Sequence, residues 1–452
     1  MLTRSSTRSL AVAATAALSL VLAGCGAGAG GGSSSGDEKS INVLMVGNPQ
    51  MVDIEKLTKD SFTKDTGIEV NYTILPENEL RDKVTQDIAT KSGQYDVATI
   101  GAYEVPIWSE NGWLKPLDEY ADAGDYDKDD LIDPIVESLS GTDDKLYAMP
   151  FYGESSFLMY RKDIFEREGI DMPAKPTWDQ VAKAAAEVDG AEPGMKGICL
   201  RGLPGWGEMF APLTTVVNTF GGTWFTEDWQ PEVDSPEFTE AVDFYVDLIK
   251  AHGEPGAAQA GFTECLNAMS QGKVAMWYDA TSAAGSLEDP AVSKVAGKVG
   301  YAAAPVKETE SAGWLWAWAW AMPETTQKAD AAAQFMSWAS SKDYEQLVGK
   351  ELGWARVPAG KRESTYEIPE YKKAAAAFGP QTLESIENAN PTDPGVQARP
   401  TVGVQFVAIP EFQDLGTKVS QDIAAAIAGR GTVEEALANG QKLAEDVAKD
   451  YQ

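Results

Sequence analysis

The chain is poor in the side chains that carry most enzyme chemistry. Its 452 residues include one histidine, His252, and three cysteines. A Ser-His-Asp triad or a histidine-rich metal site would have to depend on His252 alone. The sequence has no Gly-x-x-x-x-Gly-Lys-Ser/Thr phosphate loop and no paired cysteine or histidine spacing typical of zinc sites. These absences argue against an ATPase and against a zinc site, and we predict no cofactor and no metal.

Positive charge is also scarce. Lys plus Arg number 37 against 69 for Asp plus Glu, which gives a formal net charge of −32. Such a protein repels a polyphosphate backbone, so nucleic acid is not an expected partner, and a neutral or cationic ligand is favoured over an anionic one. The hydrophobic fraction of 43% is that of a globular protein. A chain of this length predicts two or three domains.

Long hydrophobic runs are missing except at the N-terminus. The run over residues 10–22 follows two arginines and is too short for a stable membrane span, so residues 1–24 are predicted to be a secretory signal. The run ends in Leu-Ala-Gly-Cys, a sequence like a bacterial lipobox, which makes Cys25 the predicted site of lipidation. Residues 25–40 would be the lipidated cysteine and a flexible Gly/Ser tether that anchors an extracytoplasmic protein to the cell membrane. The alternative is an ordinary signal peptide with Cys25 merely close to the cut.

Two cysteines remain after Cys25. Cys199 and Cys265 form an even pair in an exported protein, a context that favours a disulfide. Two buried free thiols are the alternative.

The order of predicted elements indicates an α/β fold. Strands are predicted at 41–46, 68–74 and 95–100, with helices at 51–66 and 80–92 between them. This alternation predicts a parallel sheet with right-handed crossovers. Ligands bind at the carboxyl ends of such strands, so the loops that hold Asn48 and Glu104 become candidate site loops.

The pattern changes near residue 150. Residues 146–153 are extended and are followed by another strand, which predicts a crossing from one lobe to a second α/β region. The elements predicted for the rest of the chain are helices at 178–188, 238–251, 329–341, 419–428 and 433–449 and strands at 197–200, 274–278 and 314–322.

Four tryptophans alternate with smaller residues over 314–320. Residues two apart share one face of a strand, so the indoles are expected to point the same way. Indole faces stack on the C–H faces of sugars and polyols, and part of this row is predicted to enter a cleft. The alternative is that the tryptophans are core residues.

Other candidate ligand-binding residues are aromatic and charged side chains in turn-rich stretches. They are Phe151 and Glu154 at the predicted crossing, Arg201, Trp206 and Glu208 after a strand, and Asp279 at a strand end. Carboxylates and arginine that bind adjacent hydroxyls, with an aromatic ring beneath, are typical of a site for a neutral polyhydroxylated ligand. The same carboxylates could instead cap helices or occupy solvated loops.

The chain resembles the family 1 extracellular solute-binding proteins of ABC importers, which are related to maltose-binding protein. The resemblance covers nearly the whole mature chain, and the motifs that carry it are Tyr95-Asp96-Val97, Asn111-Gly112-Trp113-Leu114-Lys115-Pro116-Leu117, Lys145-Leu146-Tyr147-Ala148-Met149-Pro150 and Tyr160-Arg161-Lys162-Asp163-Ile164-Phe165. Residues 151–156, 201–208 and 353–358 resemble the sorbitol/mannitol-binding branch, and the last segment adds Trp354 and Arg356 to the candidate site.

The resemblance implies a two-lobed periplasmic-binding-protein-like fold with a hinge and an interlobe ligand cleft. Lobe 1 would comprise 41–150 and 315–351, and lobe 2 would comprise 151–314 and 352–452. The tryptophan strand departs from the family's usual Gly-Gly-Trp-Gly pattern, so Trp316 and Trp318 are chosen as the indoles nearest the crossing.

The predicted function is that of a monomeric receptor, not an enzyme. It would capture a small neutral carbohydrate or polyol outside the cell and deliver it to the permease subunits of an ABC importer, with the lipid as its only contact with the membrane. Two alternatives are a secreted carbohydrate-active hydrolase, which needs a suitably spaced carboxylate pair, and a surface adhesin lipoprotein.

Overall fold

The structure is a computed structural model that describes residues 39–123 and 126–452. The predicted signal peptide, Cys25 and the tether as far as residue 38 lie outside these residues. Ser40, which was expected to end the tether, already belongs to the first strand. No helix in the described part of the chain combines the length and the apolar character that a bilayer crossing requires.

The described residues form two β-sheets. Their strands are β1 (Ser40–Val46), β2 (Glu69–Leu75), β3 (Val97–Gly101), β4 (Ala148–Glu154), β5 (Ser156–Arg161), β6 (Lys196–Cys199), β7 (Val274–Ala280), β8 (Val299–Ala303) and β9 (Trp316–Ala321). The first sheet has the order β2-β1-β3-β9-β4, and the second has the order β6-β7-β5-β8. We call each sheet with the helices packed on it a lobe.

The first sheet confirms the predicted parallel arrangement of the N-terminal strands. β1 pairs in parallel with both β2 and β3, whereas β9 lies antiparallel between β3 and β4. The inner strands β1 and β3 are almost wholly apolar because helices cover both faces of the sheet. The carboxyl ends of β1, β2 and β3 therefore meet at one edge, which borders the second lobe.

Helices occupy most of the remaining chain. In its first half they are α1 (Pro49–Thr58), α2 (Lys64–Thr66), α3 (Glu77–Thr90), α4 (Glu104–Glu110), α5 (Asp118–Ala121), α6 (Asp133–Ser138), α7 (Lys162–Glu168), α8 (Trp178–Val188) and α9 (Phe210–Thr219). In its second half they are α10 (Pro236–His252), α11 (Phe262–Ser270), α12 (Ala284–Leu287), α13 (Ala329–Ala339), α14 (Lys342–Glu351), α15 (Pro369–Ala374), α16 (Gly379–Glu387), α17 (Phe412–Ile427) and α18 (Val433–Ala448). A π-helical turn, Lys59–Thr63, joins α1 to α2.

Two connections lead directly from one sheet to the other. Ser155 alone separates β4 from β5, and residues 304–315 lead from β8 back to β9. A third stretch, residues 359–365, lies in the part of the chain assigned to lobe 2 but bonds to first-lobe residues. Its Lys361 carbonyl accepts from the Ile132 amide at 3.0 Å, and the Arg362 guanidinium donates to the Ser340 carbonyl at 3.1 Å. The chain thus remains against the first lobe beyond Leu352.

A disulfide joins the second sheet to a helix beside it. Cys199 ends β6 and Cys265 lies in α11, and their Cα atoms are 5.6 Å apart. Both side chains are buried, and the bond closes a loop across a sequence separation of 66 residues.

Candidate functional site

A small pocket lies where the two lobes meet, with a volume of about 20 Å³. Its lining comes from the carboxyl-end loops of both sheets, from the tryptophan strand, and from the irregular segment before α17. The lining residues that bear on its chemistry are Asn48, Glu77, Arg81, Glu154, Arg201, Phe262, Ser282, Trp314, Trp316, Trp318, Gln405 and Phe406. This volume holds about one water-sized molecule, so the lobes must move apart to admit a larger ligand.

Asn48 enters the pocket from the loop that the parallel-sheet rule singled out. It is separated from β1 only by Gly47 and precedes Pro49, the first residue of α1. Its side-chain amide donates to the Tyr152 hydroxyl at 2.8 Å. Because Tyr152 lies on β4, this bond fixes the amide beside the crossing between the lobes.

Arg81 is the cation of the first-lobe wall. Its guanidinium donates to Glu77 at 2.9 and 3.0 Å and to Glu104 at 2.6 Å; the side chains of Arg81 and Glu104 are buried, and that of Glu77 is 9% exposed. Burial by itself would lower the pKa of Arg81, but the two carboxylates hold it above its usual value. Burial raises the pKa of Glu104, an effect that Arg81 and the Gly101 amide oppose.

The guanidinium of Arg81 also lies among three indoles. Its central carbon is 4.2 Å from the ring centroid of Trp206 and 5.2 and 5.0 Å from those of Trp316 and Trp318. Cation–π contacts of this kind are strongest where water is excluded. Trp206 belongs to the second lobe, so this stack holds the two lobes together next to the pocket.

Arg201 is the corresponding cation of the second lobe. It follows β6 and binds Asp279 through two nitrogens, at 2.8 and 2.6 Å, while a third nitrogen donates to Glu208 at 3.2 Å. Burial opposes the charge of Arg201, but Asp279 and Glu208 raise its pKa well above the usual value. The ring of Phe262 lies 5.2 Å from the guanidinium on the pocket side.

Glu154 lies at the end of β4, beside the crossing. Its carboxyl group is buried and accepts a hydrogen bond from the Ser282 hydroxyl. Burial raises its pKa to about 8, against the opposing effects of Ser282 and Arg201. At neutral pH the side chain is therefore largely a neutral acid, which both donates and accepts hydrogen bonds.

The tryptophan segment is divided between pocket and core. Trp314, Trp316 and Trp318 border the pocket, whereas Trp320 packs on Phe151 and Phe335 with ring centroids 5.1 and 5.4 Å away. The expectation of one continuous row of four indoles is wrong, because β9 begins only at Trp316. Trp314 precedes the strand and packs on the second sheet.

The structure brings most of the predicted site residues together. Five of them line the pocket: Asn48, Glu154, Arg201, Trp316 and Trp318. Four others contact the pocket's arginines: Glu104, Trp206, Glu208 and Asp279. The three carboxylates of this second set neutralise the two arginines, and Trp206 packs on Arg81.

Three predicted residues lie elsewhere. The ring of Phe151 packs in the first-lobe core against Trp320. Trp354 covers Gly349 of α14. Arg356 pairs with Asp53 and Asp289 at 2.7 and 2.9 Å, a bridge between α1 and the segment after α12, so its charge is used outside the pocket.

Other lining residues were not predicted from the sequence. Glu77 and Arg81 follow β2, and the rule that selected the loops after β1 and β3 would also have found this loop. Ser282 follows β7 closely, so the same rule applies to it. Gln405 and Phe406 lie in an irregular segment whose sequence carried no comparable signal.

The buried acid Glu154 predicts a pH dependence of stability. Its folded pKa of about 8 exceeds the usual glutamate value of 4.5, so between these pH values the folded chain binds one proton more than the unfolded chain. The contribution of the protonated Glu154 side chain to the unfolding free energy is fully present below about pH 4.5 and is lost as pH rises through about 8. We expect the unfolding free energy to fall by up to about 1.4 kcal/mol per pH unit in this window relative to Glu154→Gln.

Urea denaturation at several pH values between 5 and 8, without added ligand, measures this difference. Glu187→Gln, which changes an exposed acid on α8, should keep the pH slope of the unaltered protein. Parallel stability curves for Glu154→Gln and the unaltered protein would contradict the assignment.

Comparison with known proteins places this geometry in a family. Residues 48–346 match the model for bacterial extracellular solute-binding proteins. A mannitol-binding protein of Pseudomonas aeruginosa is 42% identical over 407 residues, which is 89% of this chain and 92% of that protein. An ABC transporter solute-binding protein of Agrobacterium vitis S4, solved with bound D-mannitol, has a TM-score of 0.89 and 48% identity, and the match covers 91% of this chain and 99% of that one.

A more distant likeness concerns the fold alone. A solute-binding protein of Agrobacterium radiobacter K84, solved in complex with ribitol, has a TM-score of 0.80 at 24% identity, over 90% of this chain and 98% of that one. The family match and the two relatives above 40% identity confirm the predicted likeness to the polyol-binding branch and the expectation of a binding protein rather than an enzyme, and the two solved structures confirm the two-lobed α/β fold. The family also indicates an extracytoplasmic location. The chain belongs to the bacterial extracellular solute-binding proteins.

Proposed function

We propose that the protein captures a neutral sugar alcohol of about hexitol size in the interlobe pocket and delivers it to an ABC importer. The observation that carries this proposal is that both pocket arginines are paired with carboxylates in a pocket that three tryptophans line. Charged donors and acceptors held in fixed positions recognise adjacent hydroxyl groups, and indole faces cover the C–H surface of the ligand.

The charge balance of the site favours a neutral ligand. Arg81 is shared by Glu77 and Glu104, and Arg201 is shared by Glu208 and Asp279. An anionic ligand would meet carboxylates that already neutralise both cations, so binding it would add repulsion within a poorly solvated site. A neutral polyol instead uses the N–H groups and oxygen lone pairs that the ion pairs leave free.

The relatives support the same ligand class. The Pseudomonas aeruginosa relative is named for mannitol binding, and the Agrobacterium vitis relative holds D-mannitol. Both are more than 40% identical to this chain over about nine-tenths of its length. Mannitol and its isomer sorbitol are therefore the first compounds to test.

We place the hinge at Ser155, at residues 304–315, and at the stretch after α14. The lobes would then keep the bounds inferred from the sequence, 41–150 with 315–351 and 151–314 with 352–452, except that residues 359–365 move with the first lobe. A ligand drives closure only if it contacts both lobes. A ligand in this pocket meets the condition, because residues of both lobes line it. The monomer would be anchored to the membrane through Cys25 and would dock on the permease subunits when closed.

A thermal-shift screen of Asp37–Gln452, which forms one compact unit, tests the proposal. We expect mannitol or sorbitol to raise the melting temperature by a few degrees, since a ligand at 100 times its Kd stabilises the native state by about 2.7 kcal/mol. Phosphorylated hexitols should give a much smaller shift because the pocket cations are already neutralised. A shift with phosphorylated hexitols alone, or with no polyol, would overturn the proposed ligand class.

A further inference from the structure

One wall of the pocket comes from an irregular segment that precedes α17. Residues 388–411 connect α16 to α17 and contain no helix or strand. Within this segment, Gln405 and Phe406 line the pocket. The ring of Phe406 packs on Trp316 and Trp206, with ring centroids 5.6 and 5.0 Å away, so the segment closes the pocket beside the indoles.

Side-chain bonds fix this segment to both lobes. On the second lobe, Asn218 of α9 donates to the Val404 carbonyl at 2.9 Å and accepts a bond from Arg399. On the first lobe, the Tyr103 hydroxyl donates to the Ile409 carbonyl at 2.7 Å. Gln405 lies between these two attachments, so its backbone position is set by the fold.

Gln405 is buried, with 4% of its surface exposed, and its amide oxygen has no hydrogen-bond partner among the described residues. A buried polar atom without a hydrogen-bond partner destabilises the protein, and the great majority of buried polar atoms in native proteins have a partner. A ligand in the pocket would supply the missing donor. The indole N–H of Trp314, also on the lining, is likewise unpaired, but an indole can only donate.

The other polar side chains of the lining already have partners. These are Asn48, Glu77, Arg81, Glu154, Arg201 and Ser282. Gln405 differs from them because its side chain makes no hydrogen bond with the described residues and its buried, uncharged amide presents one acceptor and two donors. A hydroxyl group, which itself donates and accepts, is the chemical group that matches such an amide.

We propose that Gln405 is a specificity-determining residue that recognises one hydroxyl group of the bound polyol. The inference rests on the proposed function of the pocket. The ligand hydroxyl donates to the amide oxygen of Gln405, and that bond is formed only when ligand is bound. A polyol that lacks this hydroxyl leaves the buried oxygen unsatisfied and binds more weakly.

Calorimetric titration of D-mannitol and its 1,6-dideoxy, 2,5-dideoxy and 3,4-dideoxy analogues tests the inference. Three analogues suffice because the two halves of mannitol are equivalent by symmetry, and each analogue lacks the same hydroxyl group in both halves, so turning the ligand end for end does not restore it. We expect Gln405→Leu to weaken mannitol binding roughly tenfold or more. For one of the three analogues, Gln405→Leu and the unaltered protein should bind with equal affinity, because that analogue lacks the hydroxyl group that would bond to Gln405. Gln334→Leu, a glutamine on the exposed side of α13, is the matched control and should bind all four compounds as the unaltered protein does.

The possible outcomes distinguish a failure of the inference about Gln405 from a failure of the proposed function. If the unaltered protein binds mannitol but Gln405→Leu loses the same factor against every analogue, or loses nothing, the role of Gln405 is overturned and the proposed function stands. If the unaltered protein binds no polyol, both are overturned. Should the leucine variant fail to fold, Gln405→Met, which is closer in shape, gives the same comparison.

Discussion

Replacing Arg201 by methionine is expected to lower the free energy of unfolding by about 3–5 kcal/mol, because breaking a buried ion pair leaves uncompensated buried charge. Arg201 is the partner of Asp279, whose side chain is fully buried, and of Glu208. Without the guanidinium, Asp279 keeps the Trp277 indole as a side-chain donor, at 3.0 Å. Urea denaturation at pH 7, without ligand, measures the loss.

Two further variants test the cause of this loss. Arg201→Met combined with Asp279→Asn should recover part of the stability, because the buried charge is removed with its partner. Arg167→Met, at a largely exposed pair with Glu168, should cost less than about 1 kcal/mol. If Arg201→Met were no more costly than Arg167→Met, the buried ion pair would not be a major source of stability.

Gly207→Ala is expected to weaken ligand binding by roughly 5- to 150-fold, which corresponds to the 1–3 kcal/mol typical of an overpacked site. A Cβ on Gly207 would lie 2.4 Å from the Arg81 Nε atom and 2.9 Å from a Glu77 oxygen. Gly207 belongs to the second lobe and the other two belong to the first, so the methyl group obstructs closure. Arg81 cannot easily move because two carboxylates and three indoles hold it.

Calorimetry with mannitol measures the affinity of Gly207→Ala, and small-angle X-ray scattering with saturating ligand reports how far the lobes close. We expect a larger radius of gyration for the variant than for the unaltered protein. Gly431→Ala serves as the control, since a Cβ there meets only a Glu435 oxygen at 3.9 Å. Equal affinity and equal closure in Gly207→Ala would show that the lobes do not approach each other at this glycine.

Local sequence signals were sufficient for several elements. Helix α8 was predicted over 178–188 and is observed over the same residues, because Thr177 and Gln180 form a capping box and the apolar residues recur at helical spacing. Helix α9, in contrast, was not predicted. All ten of its residues are buried, so it has no polar face and no amphipathic period to detect.

The candidate site was predicted in part. Asn48 follows from a rule about strand ends, which depends only on the order of elements. Arg81 did not stand out, because an arginine on an amphipathic helix is usually solvated. It is buried here because the second lobe covers it with Trp206, a contact between residues that are distant in the sequence.

The sequence by itself determined the family, the α/β architecture, the candidate cysteine pair and the loops at the carboxyl ends of β1 and β3, since these depend on short motifs and on local periodicity. Only the tertiary structure decided which tryptophans border the pocket, which carboxylates neutralise the arginines and which side chain has an unpaired oxygen. The physical reason is that these properties arise where the two sheets meet. Packing and hydrogen bonding across that junction connect residues that are distant in the sequence, and the local sequence around each residue does not indicate its partner.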